Sequence, residues 1–312
     1  MNFLLAIILA VALLGFSSIT KAQVTYAGTD YADAFLASGS SNNPVGADLT
    51  GLNFGGAGTL VVASAALGKG EFQSLLKFNL VSAGALFNAN YGAGHWIITG
   101  ISLTLTSNYG TGSVQPNNAV FPMINSGHFV IEWLSNDNWV EGTGTPNLPT
   151  TDGVNYDSLP ALLSGAHEIL GANLYSPPGN NVSVTYPLPL TANLVANVSA
   201  GGDVTFLFYA ADDQIGYLFN SYSYGRGNQP LINVTAIANA AQLKILSGTF
   251  TNGVFHLTGT GNNNVTYQIQ ACSSLATTNW LTIGTATADG NGNILFDDLS
   301  ATNAQRFYRF SQ

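Results

Sequence analysis

Two carboxylates and an indole stand together in the stretch from Asn136 to Asn147, NDNWVEGTGTPN, in a chain where only 7% of residues are charged. Three kinds of chemistry could use them. Glycoside hydrolysis needs two carboxyl groups roughly 5–10 Å apart, and Glu132 and Glu141 flank Trp133, Asp137 and Trp139 as one such pair. Sugar binding needs aromatic faces for the apolar side of a pyranose, with amides and carboxylates for its hydroxyls. Trp139 beside Glu141 offers both. The alternating run Tyr217 to Tyr224 places Tyr222 and Tyr224 on one face of a strand, either as a second stacking platform or as a core stripe; Trp96, Trp133, Tyr156 and Tyr175 are further aromatic candidates. Calcium takes about six to eight oxygen ligands. Asp30 with Asp33, Asp137 with Glu141, and Asp212 with Asp213 could contribute them, although no EF-hand spacing accompanies these acids. The remaining reading is structural: Glu141 accepts backbone N–H groups in a turn before Gly142, and Trp139 plugs the end of a sandwich. That reading ranks first and catalysis last.

Other chemistries lack their residues. There is no Gly-x-Ser-x-Gly nucleophile elbow, no phosphate-cradling Gly-x-x-x-x-Gly-Lys-Ser/Thr and no His-Glu-x-x-His. His95, His128, His167 and His256 are far apart in the sequence, without local metal-ligand spacing. Residues 23–238 carry Lys69, Lys77 and Arg226 against thirteen acids, a net charge of −10, whereas residues 239–312 balance three of each. Such acidity excludes nucleic acid as a favoured partner.

These side chains must be positioned by strands. Hydrophobic residues make up 46% of the 312, enough for a sizeable core, so Asn, Thr, Ser and Gly supply most of the polar surface. Leu75 to Leu80, Ile101 to Thr106, Val204 to Tyr209 and Leu231 to Thr235 are short β-branched and aromatic runs between turn residues. Helical periodicity is scarce; Leu159 to Leu170 reads as one short surface helix. Many strands without alternating helices predict an all-β fold of sandwiches or jelly rolls.

The apolar run Phe3 to Phe16 is too short for a membrane span of about 20 residues and reads as a secretory signal peptide, cleaved after Ala22. No later stretch is long enough to span a membrane. Cys272 stands alone, so no intrachain disulfide can form, and it reads as a small, partly buried strand residue. The small-residue stretch Ala236 to Gln242 marks a boundary. The organisation predicted is a signal peptide over 1–22, a jelly-roll domain over 23–238 and a small β-sandwich over 243–312.

Several scattered elements resemble the DNRLRE-type β-sandwich, a jelly-roll domain of bacterial secreted proteins related to carbohydrate-binding module family 96. Asp33-Ala34-Phe35 resembles its opening strand, and Asn53-Phe54-Gly55 followed by Leu60-Val61-Val62 its N-[YF]-G … L-x-V element. Leu75 to Leu80 matches its L-[LR]-F-D-L strand, with Asn79 in place of the acid. Trp139-Val140-Glu141 resembles its W-x-E turn. Phe219-Asn220-Ser221 and Gln229 to Val234 resemble its closing element, with Tyr222-Ser223 where Arg-Glu is common. The resemblance implies polysaccharide binding, which in family 96 includes anionic alginate. A unit at −10 repels polyanions, so a neutral glycan fits better.

Residues 243–312 resemble a small immunoglobulin-like module that closes many large bacterial secreted proteins, through Tyr267 to Ala271, Trp280 to Gly284, Phe296-Asp297-Asp298 and Arg306 to Arg309. It implies no catalysis, and Trp280 reads as a core residue in an alternating strand. The function expected is non-catalytic attachment to polysaccharide outside the cell, with no cofactor required; a structural calcium is an option, and a solvated acidic loop the default reading of those acids. A structural or adhesive surface protein acting through contacts with other surface proteins is the alternative, and glycan cleavage by Glu132 and Glu141 the third reading.

Overall fold

The computed structural model describes residues 23–42, 45–108, 126–176, 181–225, 227–239, 243–262, 264–276, 279–301 and 305–311. The expected signal peptide lies outside them, as does Arg226. One compact unit comprises Gln23–Asn90 and Ile97–Ile237; the other contains Tyr91–Trp96 and Ala238–Gln312.

The first unit is an antiparallel sandwich. Its strands are β1 (Val24–Thr29), β2 (Ala32–Ala37), β3 (Ser40–Asn42), β4 (Val45–Asp48), β5 (Thr59–Ala63), β6 (Phe72–Asn79) and β7 (Trp96–Thr106). They continue with β8 (Gly127–Leu134), β9 (His167–Tyr175), β10 (Ser183–Leu188), β11 (Asp203–Ala210), β12 (Gly216–Asn220) and β13 (Leu231–Ala238). One sheet has the order β1-β13-β7-β10; the other runs β12-β5-β6-β11-β8-β9, with β2 also paired to β6. The chain passes repeatedly from one sheet to the other, as a jelly-roll-type sandwich requires.

Strand alternation explains the first sheet. Ile101, Leu103 and Leu105 of β7, with Ile232, Val234 and Ala236 of β13, are buried. The residues between them are neutral and pair across the other face: Thr104 with Thr185 at 2.8 Å, Thr25 with Thr235 at 3.0 Å. Hydroxyl pairs of this kind give a sheet a polar face without charge.

The central strands of the second sheet are buried on both faces. Phe78, Phe206, Phe208, Phe129 and Ile131 alternate with Leu75, Leu207 and Leu134, and all are inaccessible. The second set is covered by the connection from β8 to β9. Its ends meet where Ser135 N–H donates to Ala166 O at 2.8 Å. Between them the chain lays Trp139, Val154, Leu159 and Leu162 over Ala32, Ala34, Leu36, Leu75, Leu134 and Leu207. Hairpin loops usually take roughly 2–5 residues, so Ser135–Ala166 is a strap and not a turn.

Among the described residues three α-helices accompany these strands: α1 (Val81–Tyr91), α2 (Leu159–Leu162) and α3 (Ala192–Ala200). The helix expected over Leu159 to Leu170 is thus one turn. Pro160 starts it, and from His167 the residues join β9 against β8. Helix α3 was not anticipated, though it carries Thr191 as N-cap, accepting from Leu194 N–H, and Gly201 at φ +71° as C-cap.

The second unit is a smaller sandwich of β14 (Lys244–Thr251), β15 (Val254–Thr260), β16 (Thr266–Cys272), β17 (Leu281–Thr287), β18 (Asn293–Asp298) and β19 (Phe307–Ser311). The sheets β14-β15-β18 and β17-β16-β19 split the strands in immunoglobulin-like fashion. Asn252 and Gly253, at φ +53° and +85°, make the tight turn joining β14 to β15. Phe255, Leu257, Tyr267, Ile269, Ile294 and Phe310 form the core, and Cys272 is a buried free thiol. Trp280 differs from expectation: it is only half-buried, precedes β17, and lies under the Arg309 guanidinium at 4.5 Å.

Candidate functional site

The strap is held by two polar anchors in the first unit. Asn53 is fully buried, and its amide Nδ2 donates to Glu141 O at 2.6 Å and Val154 O at 2.8 Å. Its Oδ1 accepts from Gly144 N–H at 3.0 Å and Gly55 N–H at 3.2 Å. One side chain therefore satisfies backbone groups from three places in the chain. The glycines around it follow from this contact: a Cβ on Gly55 would collide with Glu141 O, and one on Gly144 with Asn53 O. Asn-Phe-Gly and Val-Glu-Gly are thus two halves of one clasp.

Lys77 is the second anchor. Its side chain is buried from β6, and Nζ donates to Asp137 O at 2.8 Å and Trp139 O at 2.7 Å. The ammonium also sits 4.4 Å from the Trp139 ring centroid, a cation–π contact. Desolvation lowers the Lys77 pKa, opposed by Asp203 and Asp137. Trp139 is buried and donates from Nε1 to Thr205 Oγ1 at 3.1 Å. Its proposed part as a ligand platform is therefore corrected: both its faces and its N–H serve the fold.

Beside the clasp lies a junction of acids. Asp30, just before β2, and Asp33, within it, are buried, 0% and 1% exposed. Asp33 Oδ2 accepts the Tyr222 N–H from the segment after β12, and the Glu141 carboxylate accepts from Asp33 N–H and the Ser223 side chain. Burial first, then the charge of Asp33, pushes Asp30 above the usual carboxylate range; burial also raises Asp33, while its hydrogen bonds with Asp30 and with Tyr222 N–H hold it down. Burial, followed by the charge of Asp33, moves Glu141 up to about 7. The Asp30 and Asp33 carboxyls share a hydrogen bond, while Glu141 Oε1, Asn220 Oδ1 and Ser221 Oγ are buried without a partner. The segments that meet here, around Asp33, Glu141 and Tyr222, lie 108 and 81 residues apart in the sequence, and no local pattern announces their meeting.

The opening of the strap forms an open trough of about 610 Å³, lined by Ser135, Asn136, Asp137, Asn138, Ser164 and Gly165. Tyr31 stands near it. Its hydroxyl donates to Asp203 Oδ2 at 2.7 Å, its ring is 42% exposed, and Asp137 acts electrostatically on it. Sequence reasoning missed Tyr31, whose one signal is an aromatic side chain just before β2 between the buried Asp30 and Ala32. Burial of Asp137 raises its pKa, while Thr205 hydrogen bonds and Lys77 hold it down.

The other expected residues are dispersed. Tyr222 and Tyr224 lie on a short 3₁₀ turn (Tyr222–Tyr224) after β12, which corrects their placement on one face of a strand. The ladder ends at Asn220, and the Tyr222 N–H turns to Asp33, so the alternation stops there. Asp212 accepts from His128 N–H at 2.6 Å and contacts His128 Nδ1 at 2.9 Å, at the exposed surface beside Asp213. Glu132 is buried on β8 against His167 Nδ1 at 2.6 Å, whereas Glu141 belongs to the acid junction. Trp133 donates to Asn197 Oδ1 at 2.7 Å, and Tyr175 is buried. Among the described residues no three His, Cys, Asp or Glu side chains form a ready metal-ligand group.

No protein-family model and no curated protein matches the chain. Among solved structures it is similar to the crystal structure of a β-1,2-glucanase from Parabacteroides distasonis, with a TM-score of 0.20 and 7% identity. The match covers 93% of this chain and 36% of that one, and a likeness so distant says nothing about activity. No helix among the described residues is long and apolar enough to cross a membrane.

Proposed function

We propose that the first unit is a non-catalytic module that binds neutral polysaccharide outside the cell. The trough between Ser135–Asn138 and Ser164–Gly165 carries this reading. Its walls offer hydroxyl, amide and carboxylate groups, the set that recognises sugar hydroxyls, and the half-exposed Tyr31 ring stands close by as a stacking face. An open trough on a rigid sandwich suits a polymer, which must pass through the site at both ends. The resemblance to carbohydrate-binding module family 96 supports the same class of ligand. The net charge of −10 over residues 23–238 argues for a neutral chain over an anionic one.

Affinity electrophoresis of the purified protein through soluble β-glucan, xylan, mannan and alginate tests the proposal. Retardation by a neutral glycan is expected, with Tyr31→Ala weakening it by about 3–10-fold, the worth of one aromatic stacking contact. Tyr222→Ala, on the turn after β12, should leave it unchanged. A wild-type protein that no polysaccharide retards overturns the reading, and retention by alginate alone overturns its neutral-ligand part.

A further inference from the structure

Sheet β17-β16-β19 of the second unit turns one face to its core, through Tyr267, Ile269, Ala286 and Phe310. On the other face, strand pairing sets Gln270 of β16 between Thr282 of β17 and Arg309 of β19. Gln270 Nε2 donates to Thr282 Oγ1 at 3.2 Å and to Gln268 Oε1 at 3.3 Å, and Thr282 Oγ1 donates to the same Gln268 oxygen at 3.2 Å. That ladder holds the Gln270 amide so that its Oε1 accepts from Arg309 Nε at 2.7 Å. The guanidinium carbon lies 4.5 Å from the ring centroid of the half-buried Trp280. A hydrogen bond from β16 and a ring contact from the segment before β17 thus hold one head group.

This head group lacks a counter-ion. The acids of the second unit are engaged elsewhere: Asp298 with Arg306 at 3.2 Å, Asp297 with His256 Nδ1 at 2.8 Å, and Asp289 with Asn291 N–H and Asn293. Arg309 makes no ion pair among the described residues, and its Nη1 and Nη2 have no hydrogen-bond partner there and are not buried. A cover for Trp280 would need only an aliphatic stem, with the charge left loose in water. Here the planar head itself is placed, which costs rotamer freedom in the folded chain. A ligand gains from that order, because a preorganised fork loses less freedom on binding. With Nε occupied and both Nη groups open, the fork matches the two oxygens of a carboxylate.

We propose that Arg309, positioned by Gln270 and Trp280, binds the carboxylate of a uronic-acid-containing polysaccharide. The side chains beside the fork select a sugar over an acidic protein segment. Gln268, Thr282 and Thr285 are exposed amide and hydroxyl groups on a strand surface, suited to ring hydroxyls, whereas a protein partner would call for an apolar anchor. Residues 239–312 carry no net charge, so the second unit does not repel a polyanion as the −10 of residues 23–238 does. The site is independent of the trough and of the neutral glycan proposed for it.

Calorimetric titration of the whole protein tests this with galacturonate oligomers, the same oligomers after carboxyl reduction, and glutamate oligomers. Galacturonate is expected to bind, less tightly as salt is raised, and the reduced form about tenfold more weakly or worse. Arg309→Ala should lower galacturonate affinity by about tenfold or more, and Arg309→Lys several-fold, because an ammonium keeps the charge but loses the fork. Lys244→Ala removes an equal charge from β14 and should stay within about twofold. If Arg309→Ala does not fold, Arg309→Lys and the reduced oligomers decide. A wild-type protein that binds no galacturonate overturns the proposal. Equal losses in Arg309→Ala and Lys244→Ala overturn it as well, since net charge alone would then be read. Tighter binding of glutamate oligomers assigns the fork to an acidic protein and overturns the polysaccharide claim. Tyr31→Ala should leave the galacturonate titration unchanged, so this proposal and the trough reading fail separately.

Discussion

At the scale of single residues, Asn53 and Lys77 do work that their sequence neighbourhoods do not reveal. Each is a buried polar group whose partners are backbone atoms of a distant segment. Asn53→Ala would strip donors from Glu141 O and Val154 O and an acceptor from Gly144 N–H. Since each orphaned buried group costs about 1–3 kcal/mol, we expect a loss of about 2–4 kcal/mol, read as a lower urea midpoint. An unchanged midpoint would mean that water replaces the side chain without penalty. The substitution should also loosen the strap before the sandwich unfolds, because the amide joins the two and lies outside the sheet ladders.

Elements were legible where the physics is local. Alternation in Ile101 to Thr106 and Leu231 to Thr235 became β7 and β13, with the apolar set inward. The Leu75 to Leu80 burst became β6, buried on both faces because the strap covers one of them. Two readings failed for one reason: pattern was extended past the point where tertiary contacts end it. Leu159 to Leu170 stops being helical because β8 recruits His167 onward. Tyr222 and Tyr224 leave the strand because Asp33 captures the Tyr222 N–H. The structural reading of Trp139-Val140-Glu141 agrees with the burial of Trp139, but its partner Asn53 lies 88 residues away, beyond any spacing rule. The strap's weight in the fold can be measured. Trp139→Ala removes a large buried ring and should cost about 3–5 kcal/mol in denaturant unfolding, whereas Leu148→Ser, at the 74% exposed strap tip, should stay within about 0.5 kcal/mol. Equal effects would deny that Trp139 pins the strap.

Over the whole molecule, two cores without a disulfide between them predict separable unfolding transitions rather than one. The second unit carries its own acid sensitivity. Asp298 is buried, which pushes its pKa up, yet hydrogen bonds from Ser300 and Tyr308 and the charge of Arg306 hold it below the usual value. A depressed folded pKa contributes stability that is present above the unfolded value near 3.9 and lost as pH falls through the folded one. Asp298→Asn should therefore lower the second transition at pH 7 and flatten its decline in acid, a pattern that calorimetry at pH 7, 4 and 2 would show. A decline just as steep in the variant would assign the acid sensitivity elsewhere. The strap has a further consequence for a protein expected to meet proteases outside the cell. Its exposed tip is the turn closed by Thr145 and Leu148, and Asn53 holds the stretches on both sides of it, helped by Lys77 before the turn and by the packing of Val154, Leu159 and Leu162 after it. A cut at that turn would sever the chain but leave both new ends docked on the sheet. The molecule would run as two fragments when denatured and as one particle when native, so its integrity rests on packing across the cut and not on the peptide bond that was lost.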